Sequence, residues 1–222
     1  MFMALVRHVI LAENQSVNSS AVGQRRGKVR ADLVAAAERT IEREGLRGLR
    51  ARSLATEVGC AVGAIYNAVE DLDELVLLVN ARTLKALEAE LAAADRGAEH
   101  AGPDAAIGRL VRMALAYLDF AAAHTPRWRA LFEHRMSPGR DVPDWYRDQQ
   151  RRLFGYVEGL LADLQAHESR VRRTLLARSL FSAVHGVVLL GLEEKLQAIL
   201  LPVLREQLRF VVTAIGRGMT AG

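Results

Sequence analysis

The segment that most limits what this chain can fold into lies at residues 51–70, ARSLATEVGCAVGAIYNAVE. It reads as a short helix, a tight turn at Gly59 and a second short helix. Two helices that cross closely need a small side chain at the crossing, and Ala55 supplies one. The turn needs a residue at ease with positive φ, and Gly59 has no Cβ to oppose it. The second helix needs a branched apolar anchor on its inner face, and Ile65 provides it. A pair built this way is a helix-turn-helix, whose second helix enters the major groove of DNA. Any αα-corner with a glycine turn shares the bare pattern, so the flanks must decide.

Upstream, Val29, Leu33, Ala36, Ala37, Thr40 and Ile41 recur at three-to-four spacing and mark one apolar helix face, which Gly45 ends. Leu46 and Leu49 bridge into the next helix. Downstream, Asp71 is placed to cap a long helix, with Glu74 completing a capping box. Charge agrees with a duplex partner. The whole chain carries +4, while residues 1–52 hold ten Lys/Arg against five Asp/Glu, a net of +5, so the remainder is −1. Lys and Arg neutralise phosphates and release counterions. A merely solvated charged face would not need to coincide with the motif.

Half of the 222 residues are apolar, proline is scarce, and helical periodicities recur without β-branched alternation, so the fold class is all-α. The single cysteine, Cys60, excludes an internal disulfide and a multi-cysteine metal site and fits a cytoplasmic protein; packing explains it better than a redox switch. Neither a metal nor a cofactor is expected. The opening MFMALVRHVILAEN is interrupted by Arg7, His8 and Glu13 and does not read as a signal peptide. No run approaches the ~20 apolar residues of a membrane span, and no membrane partner is expected. QSVNSSAVGQRRGK reads as a flexible basic arm, free to track a groove or to remain an unordered extension.

Beyond the motif, helices are expected over about 71–94, 104–123, 144–166, 169–193 and 202–217, with a short one in RWRALFEHRM. The stretch 169–193 is apolar nearly all round, and such a helix is buried on every side. One side would meet the chain's own core and the other a second copy, giving an intermolecular four-helix bundle from the last two helices of each protomer. A homodimer would also set two helix-turn-helix units about 34–36 Å apart, as successive major grooves require. A monomer with those helices in its core is the alternative. The expected organisation is an N-terminal extension at 1–24, a three-helix DNA-binding domain at 25–70 and a helical ligand-binding and dimerisation domain at 71–222.

LATEVGCAVGAIYNAVEDLDEL resembles the signature run of the tetracycline-repressor (TetR) family of one-component bacterial regulators, with Leu54, Ala55, Gly59, Gly63, Ile65, Tyr66 and Leu75 matching. With the first helix, the resemblance spans about residues 29–80. YLDFAAAHTPRWRALF and FSAVHGVVLLGL are similar to C-terminal domains named for a Trp-His-Gly signature; His185 and Gly186 match, and Phe181 stands where tryptophan is usual. The chain departs from the family pattern at Ala68-Val69 in place of His-Phe, at Leu72 in place of a phosphate-contacting lysine, and at Arg50 in place of a capping Ser or Thr. Losing that cap costs about 1 kcal/mol, and Arg50 is free instead to meet phosphate.

The DNA-facing set is therefore Arg25, Arg26, Lys28, Arg50 and Arg52 with Ala61, Val62, Gly63, Ala64, Tyr66 and Asn67. Gly63 lets the backbone approach DNA closely. Asn67 is suited to adenine or phosphate, and Val62 and Ala64 to thymine methyls. The resemblance implies that Tyr66 donates to a phosphate; a half-buried core tyrosine is the alternative. It further implies repression at a pseudo-palindromic double-stranded operator and release by a small effector held in the C-terminal half. Candidate lining residues are Met113, Tyr117, Phe120, Trp128, Phe132, Phe181, His185 and Leu189, with Tyr117 and His185 as polar hooks and a lipophilic molecule as ligand. Packing accounts for each of these aromatic residues singly.

Two other classes compete with this reading. An enzyme would need motifs that are absent here, and GQRRGK at 23–28 lacks the spacing, the following Ser/Thr and the preceding strand of a phosphate loop. A helical interaction protein without DNA binding would need neither the localised charge nor the Ala55/Gly59/Ile65 arrangement.

Overall fold

The structure, a computed structural model, describes residues 2–96, 102–196 and 199–220, with side chains from residue 23 onward. It divides into two compact units, Met1–Val79 and Asn80–Gly222. Among the described residues all regular structure is helical.

The first unit holds α1 (Phe2–Glu44), a 3-10 turn (Leu46–Gly48), α2 (Ala51–Val58), α3 (Val62–Ala68) and the opening turns of α4 (Leu72–Asp95). The flexible extension expected over 1–24 is instead helical along its described backbone and continuous with α1. No proline falls within α1, and Gly23 and Gly27 each cost a helix only about 1 kcal/mol, so nothing breaks the hydrogen-bond ladder. Leu33, Val34, Ala36, Ala37, Thr40 and Ile41 form the buried row of α1, and the Thr40 hydroxyl donates to the Ala36 carbonyl at 3.0 Å. Gly45 closes the helix at φ 68°, its N–H donating to the Ile41 carbonyl at 2.8 Å.

The unit boundary falls after Val79, beyond the residue 70 expected from the motif. Leu75, Val76 and Val79, on the opening turns of α4, are buried and lie outside the core cluster of the second unit. The expected cap is half realised. Asp71 Oδ1 accepts the Glu74 N–H at 2.8 Å, whereas the Glu74 carboxylate turns to the Glu70 N–H and to Arg30.

The second unit takes the rest of α4 and adds α5 (Pro103–Ala123), α6 (Thr125–Glu133), α7 (Asp144–Leu164), α8 (Arg170–Gly191) and α9 (Leu201–Thr220). Pro103 sits in a first turn, where its missing N–H is no loss. The Ser169 hydroxyl caps α8 by accepting the Arg172 N–H at 3.2 Å. Helix α5 is the central member, packed on α7, α8 and α9. Leu110, Ala114 and Leu118 of α5 meet a core shared with Leu160 and Leu161 of α7, Leu180, Val184 and Val188 of α8, and Leu204, Leu208 and Val212 of α9. The Arg109 guanidinium grips Asp95 through two bonds, at 2.8 and 3.0 Å, and reaches Asp163 at 3.3 Å. That hydrogen bond holds the Asp95 carboxyl below the usual carboxylate range.

Helix α8 is not buried all round as expected. Ala177, Leu180, Val184 and Val188 face the core, while Val171, Leu175 and Leu190 stand exposed. In length and mean hydropathy α8 reaches what a membrane span needs, although no such run was expected from the sequence. Along α9, Leu204, Leu208 and Val212 are buried and Leu201, Val203 and Phe210 are exposed.

One close approach sets the pairing of the last two helices. A Cβ on Gly191 would lie 2.4 Å from Leu204 Cδ1 and 2.7 Å from Cδ2, and Leu204 is fully buried. Gly191→Ala gains about 1 kcal/mol of helix propensity but overpacks the crossing at a cost of about 1–3 kcal/mol. We expect a lower midpoint in chemical denaturation. At Gly186 an added Cβ meets nothing within 4 Å, so Gly186→Ala is the control and should not lower protomer stability.

Candidate nucleic-acid interface and ligand cavity

In the first unit the turn at Gly59 adopts φ 73° and ψ 36°. The Gly59 N–H donates to the Thr56 carbonyl at 3.2 Å and the Cys60 N–H to the Ala55 carbonyl at 2.9 Å. This pair of bonds satisfies the carbonyls that a helix end leaves open, and it needs a left-handed residue at the turn. Ala55 and Ile65 are both buried, as the motif predicts, and Cys60 is half-buried with a free thiol. Ala68 and Val69, in the place of the family's His-Phe, are buried too.

With Ile65 turned inward, α3 presents its other side. Ala61, Val62, Gly63, Tyr66 and Asn67 are exposed and Ala64 is partly covered. Tyr66 is 51% exposed. The space outside Gly63 is open, with nothing within 4 Å of where a Cβ would stand.

The basic residues divide into two groups. Arg30 is held by Glu74 at 2.5 Å and by the Ala68 carbonyl, and Arg39 by Glu57 through two bonds at 3.0 and 2.7 Å. These pairs tie α1 to the elements after it. Among the described residues, Arg25, Arg26, Lys28 and Arg52 are exposed and make no such pair. Arg50 caps nothing with its side chain; its Nη1 donates to the carbonyls of Arg47 and Leu49. Being exposed, it still offers charge to solvent.

The second unit holds an open-mouthed cavity of about 240 Å³ between α4, α5, α6, α7 and α8, with Val212 of α9 also in its wall. Of the residues expected to line such a site, Met113, Tyr117, Phe132 and Phe181 do so. Phe120, Trp128, His185 and Leu189 do not. Phe120 packs on His124, with ring centroids 5.0 Å apart. Leu189 is 37% exposed on the outer side of α8. Trp128 and His185 stand behind the wall rather than in it. The sequence reading also missed the wall given by α4, with Leu84, Leu87 and Leu91, and by α7, with Tyr146, Gln150, Leu153, Phe154 and Val157. The three-to-four spacing of Tyr146, Leu153, Phe154 and Val157 was the available signal on α7.

Behind the wall runs a polar relay. Trp128 Nε1 donates to Tyr117 Oη at 2.8 Å, and Tyr117 Oη lies 2.8 Å from His185 Nδ1. Indole can only donate, so the tyrosine proton is left for the imidazole, which accepts at Nδ1 in its neutral form. Burial pushes the Tyr117 phenol above its ordinary value, against the pull of the Trp128 bond. Burial also pushes His185 below its ordinary value. The imidazole is boxed by Phe132 at 4.2 Å, Trp128 at 5.3 Å and Phe181 at 5.6 Å between ring centroids.

A second polar group joins the cavity wall to α4. Gln149 Nε2 donates to the Ala81 carbonyl at 2.6 Å. Asn80, almost fully buried, donates from Nδ2 to the Ala130 carbonyl of α6 at 3.2 Å. Burial raises the Tyr146 phenol to about 12, moderated by its hydrogen bond with Asn80. Helices α6 and α7, which both line the cavity, thus hold α4 at Asn80 and Ala81.

The relay predicts a pH dependence. With the folded His185 held below 6.5, the unfolded chain takes up the proton first as pH falls. The stability tied to neutral His185 is therefore complete above about 6.5 and declines below it, down to the folded value. Thermal unfolding between pH 7 and 5 should show a steeper loss in the parent than in His185→Gln, which keeps an acceptor for Tyr117. Equal slopes would remove the role given to the relay.

Residues 110–215 match the family described as tetracyclin repressor-like, C-terminal domain, and this span contains both stretches quoted above for the effector half. No curated protein matches the chain significantly. Several solved structures share its fold. A protein of unknown function from Rhodococcus sp. RHA1 superposes with a TM-score of 0.69 at 23% identity, over 86% of this chain and 94% of that one. A tetR-family transcriptional regulator from Streptomyces coelicolor gives 0.63 at 19% identity, over 88% and 83%. BioQ, solved with its double-stranded DNA operator, gives 0.58 at 19% identity, over 87% and 98%. Residues 110–215 thus carry a tetracyclin repressor-like C-terminal domain, and most of the chain shares the fold of these solved structures.

Proposed function

We propose that this protein is a one-component repressor. A homodimer holds a pseudo-palindromic duplex operator and releases it when a small lipophilic molecule enters the cavity of the second unit. The observation that carries the reading is the outward side of α3, where a solvent-facing tyrosine and a glycine with open space before it sit on a helix anchored by Ile65. Tyr66 donates to a phosphate, Gly63 allows close approach, Asn67 reads a base edge or phosphate, and Ala61, Val62 and Ala64 offer apolar contact. Arg25, Arg26, Lys28, Arg50 and Arg52 supply charge to the backbone. A face this poor in polar atoms implies modest base readout, with symmetry and DNA shape adding specificity. The fold likeness to BioQ, which was solved on its operator, supports the duplex as partner.

The dimer reading is supported by the uncovered apolar residues of the last two helices, with Leu190 59% and Phe210 74% exposed. Large apolar side chains left uncovered on both helices fit a second copy of the chain. Met113, Tyr117, Phe132 and Phe181 contact the effector. Regulation, not catalysis, is the activity assigned, and the cytoplasm is its compartment, where DNA is and where the free Cys60 thiol stays reduced.

The test is a mobility-shift assay on the DNA just upstream of the protein's own gene. Tyr66→Phe should weaken both operator and nonspecific binding by about tenfold or more, the worth of a hydrogen bond to a charged acceptor. Gly63→Ala should fold as well as the parent, with a helix-propensity gain of up to about 1 kcal/mol, yet bind duplex less well. Unchanged affinity in both variants would remove α3 as the reading element. For the dimer, Leu190→Glu should shift the sedimentation coefficient towards that of a monomer and lower operator affinity; an unshifted coefficient would place the dimer contact elsewhere.

A further inference from the structure

The cavity wall contains no Asp, Glu, Lys, Arg or His. Its polar atoms come from two phenols, Tyr117 and Tyr146, and from the amide of Gln150. The Tyr117 hydroxyl is occupied by Trp128 and His185, and Tyr146 is buried beside Asn80. Gln150 differs. It is exposed at the edge of the cavity and, among the described residues, its side chain makes no hydrogen bond. The remaining wall is aliphatic and aromatic, with the rings of Phe132, Phe154 and Phe181 grouped within 6.3 Å of one another through Phe181.

We infer that the cavity selects an uncharged fused-ring molecule bearing one polar substituent, which Gln150 meets at the rim. This rests on the reading of the cavity as the effector site and narrows its ligand. Size gives the ring count. An apolar cavity of about 150 Å³ takes benzene, so 240 Å³ takes two fused rings. Charge is decided by desolvation. A buried anion would find no cation in the wall and would face the negative sides of the rings. A buried cation would gain attraction from those rings worth roughly thirtyfold in affinity. Leaving water without a carboxylate partner costs it roughly a thousandfold. The balance disfavours a charged group held within the wall and favours a neutral ring system. Planarity suits the wall, because offset and edge-on ring contacts reward aromatic ligands beyond the area they bury.

Calorimetric titration with three probes of one shape tests the inference: 2-naphthol, which is uncharged at neutral pH, 2-naphthoate and 2-naphthyltrimethylammonium. The expected result is binding of 2-naphthol, with both ions at least thirtyfold weaker. Val157→Trp, which fills the cavity from α7, should abolish that binding; Leu131→Trp fills it from α6 should the first variant fail to fold. Gln150→Leu should weaken 2-naphthol about five- to tenfold and leave naphthalene unchanged. Either ion binding as tightly as 2-naphthol, 2-naphthol binding that survives the filling variants, or no binding by any probe would overturn the ligand class. Equal affinities of Gln150→Leu and the parent for 2-naphthol would overturn the rim contact. Operator release separates the two levels of the argument. If 2-naphthol binds in the cavity and the protein stays on its operator, the effector reading fails and the ligand class stands. If an ion binds there and releases the operator, the ligand class fails and the effector reading stands.

Discussion

The first unit depends on one backbone conformation, the left-handed residue at Gly59. With a Cβ, that residue would be strained by roughly 1 kcal/mol or more. Without the turn, the paired bonds from the Gly59 and Cys60 N–H groups to Thr56 and Ala55 could not form together. Those bonds aim α3 so that Ile65 reaches the core beside Ala55 and the opposite side of α3 faces solvent. Tyr66 is exposed because Ile65 is not: neighbours on a helix turn about 100° apart. The ion pairs of Arg30 and Arg39 then fasten α1 to α4 and α2 within this unit, and being partly exposed each contributes at most about 1 kcal/mol. Their larger effect is on where charge is left free. With these two arginines spent internally, Arg25, Arg26, Lys28, Arg47, Arg50 and Arg52 are among the described residues of this unit that stay exposed and make no ion pair.

The second unit combines dense packing with a retained void. Around α5 the side chains of four helices fill space, and at Gly191 they approach closely enough that even a methyl group does not fit. Beside this core lies the cavity. The cavity, about 240 Å³, is space that packing has left unused. A protein near its stability threshold retains such a defect where function requires it. The polar atoms near it are nearly all consumed, by the Trp128–Tyr117–His185 relay and by the Tyr146–Asn80 contact. These bonds fix the ring orientations of the wall and attach it to α4 at Asn80, where the second unit begins.

Much of this was legible in the sequence because it depends on local chemistry. The αL turn, the crossing alanine, the inward isoleucine, the buried row of α1 and the approximate spans of α4, α5, α7, α8 and α9 follow from residues within a few positions of one another. The N-terminal helix was missed because Asn, Ser and Gly near residues 14–24 read as an arm. They lower helix propensity without breaking the ladder. The capping box was half right. Asp71 acts within its own turn, but Glu74 has a choice of donors, and Arg30, forty-four residues earlier in the chain, takes part of it.

The sequence by itself determined the all-helical class, the helix-turn-helix and the excess of positive charge beside it, since periodicity, glycine placement and charge are properties of the linear chain. Only the tertiary structure decided which aromatic residues border the cavity and which stand behind them. Tyr117 and Trp128 lie on consecutive helices with the same apolar character, yet one reaches the void and the other is its support. That difference arises from the angles at which α5, α6 and α8 pack, and no spacing along the chain encodes an angle between helices. The same holds for α8. Its composition implied burial on every side, and the fold covered one side only, because a single chain has too few helices to enclose it.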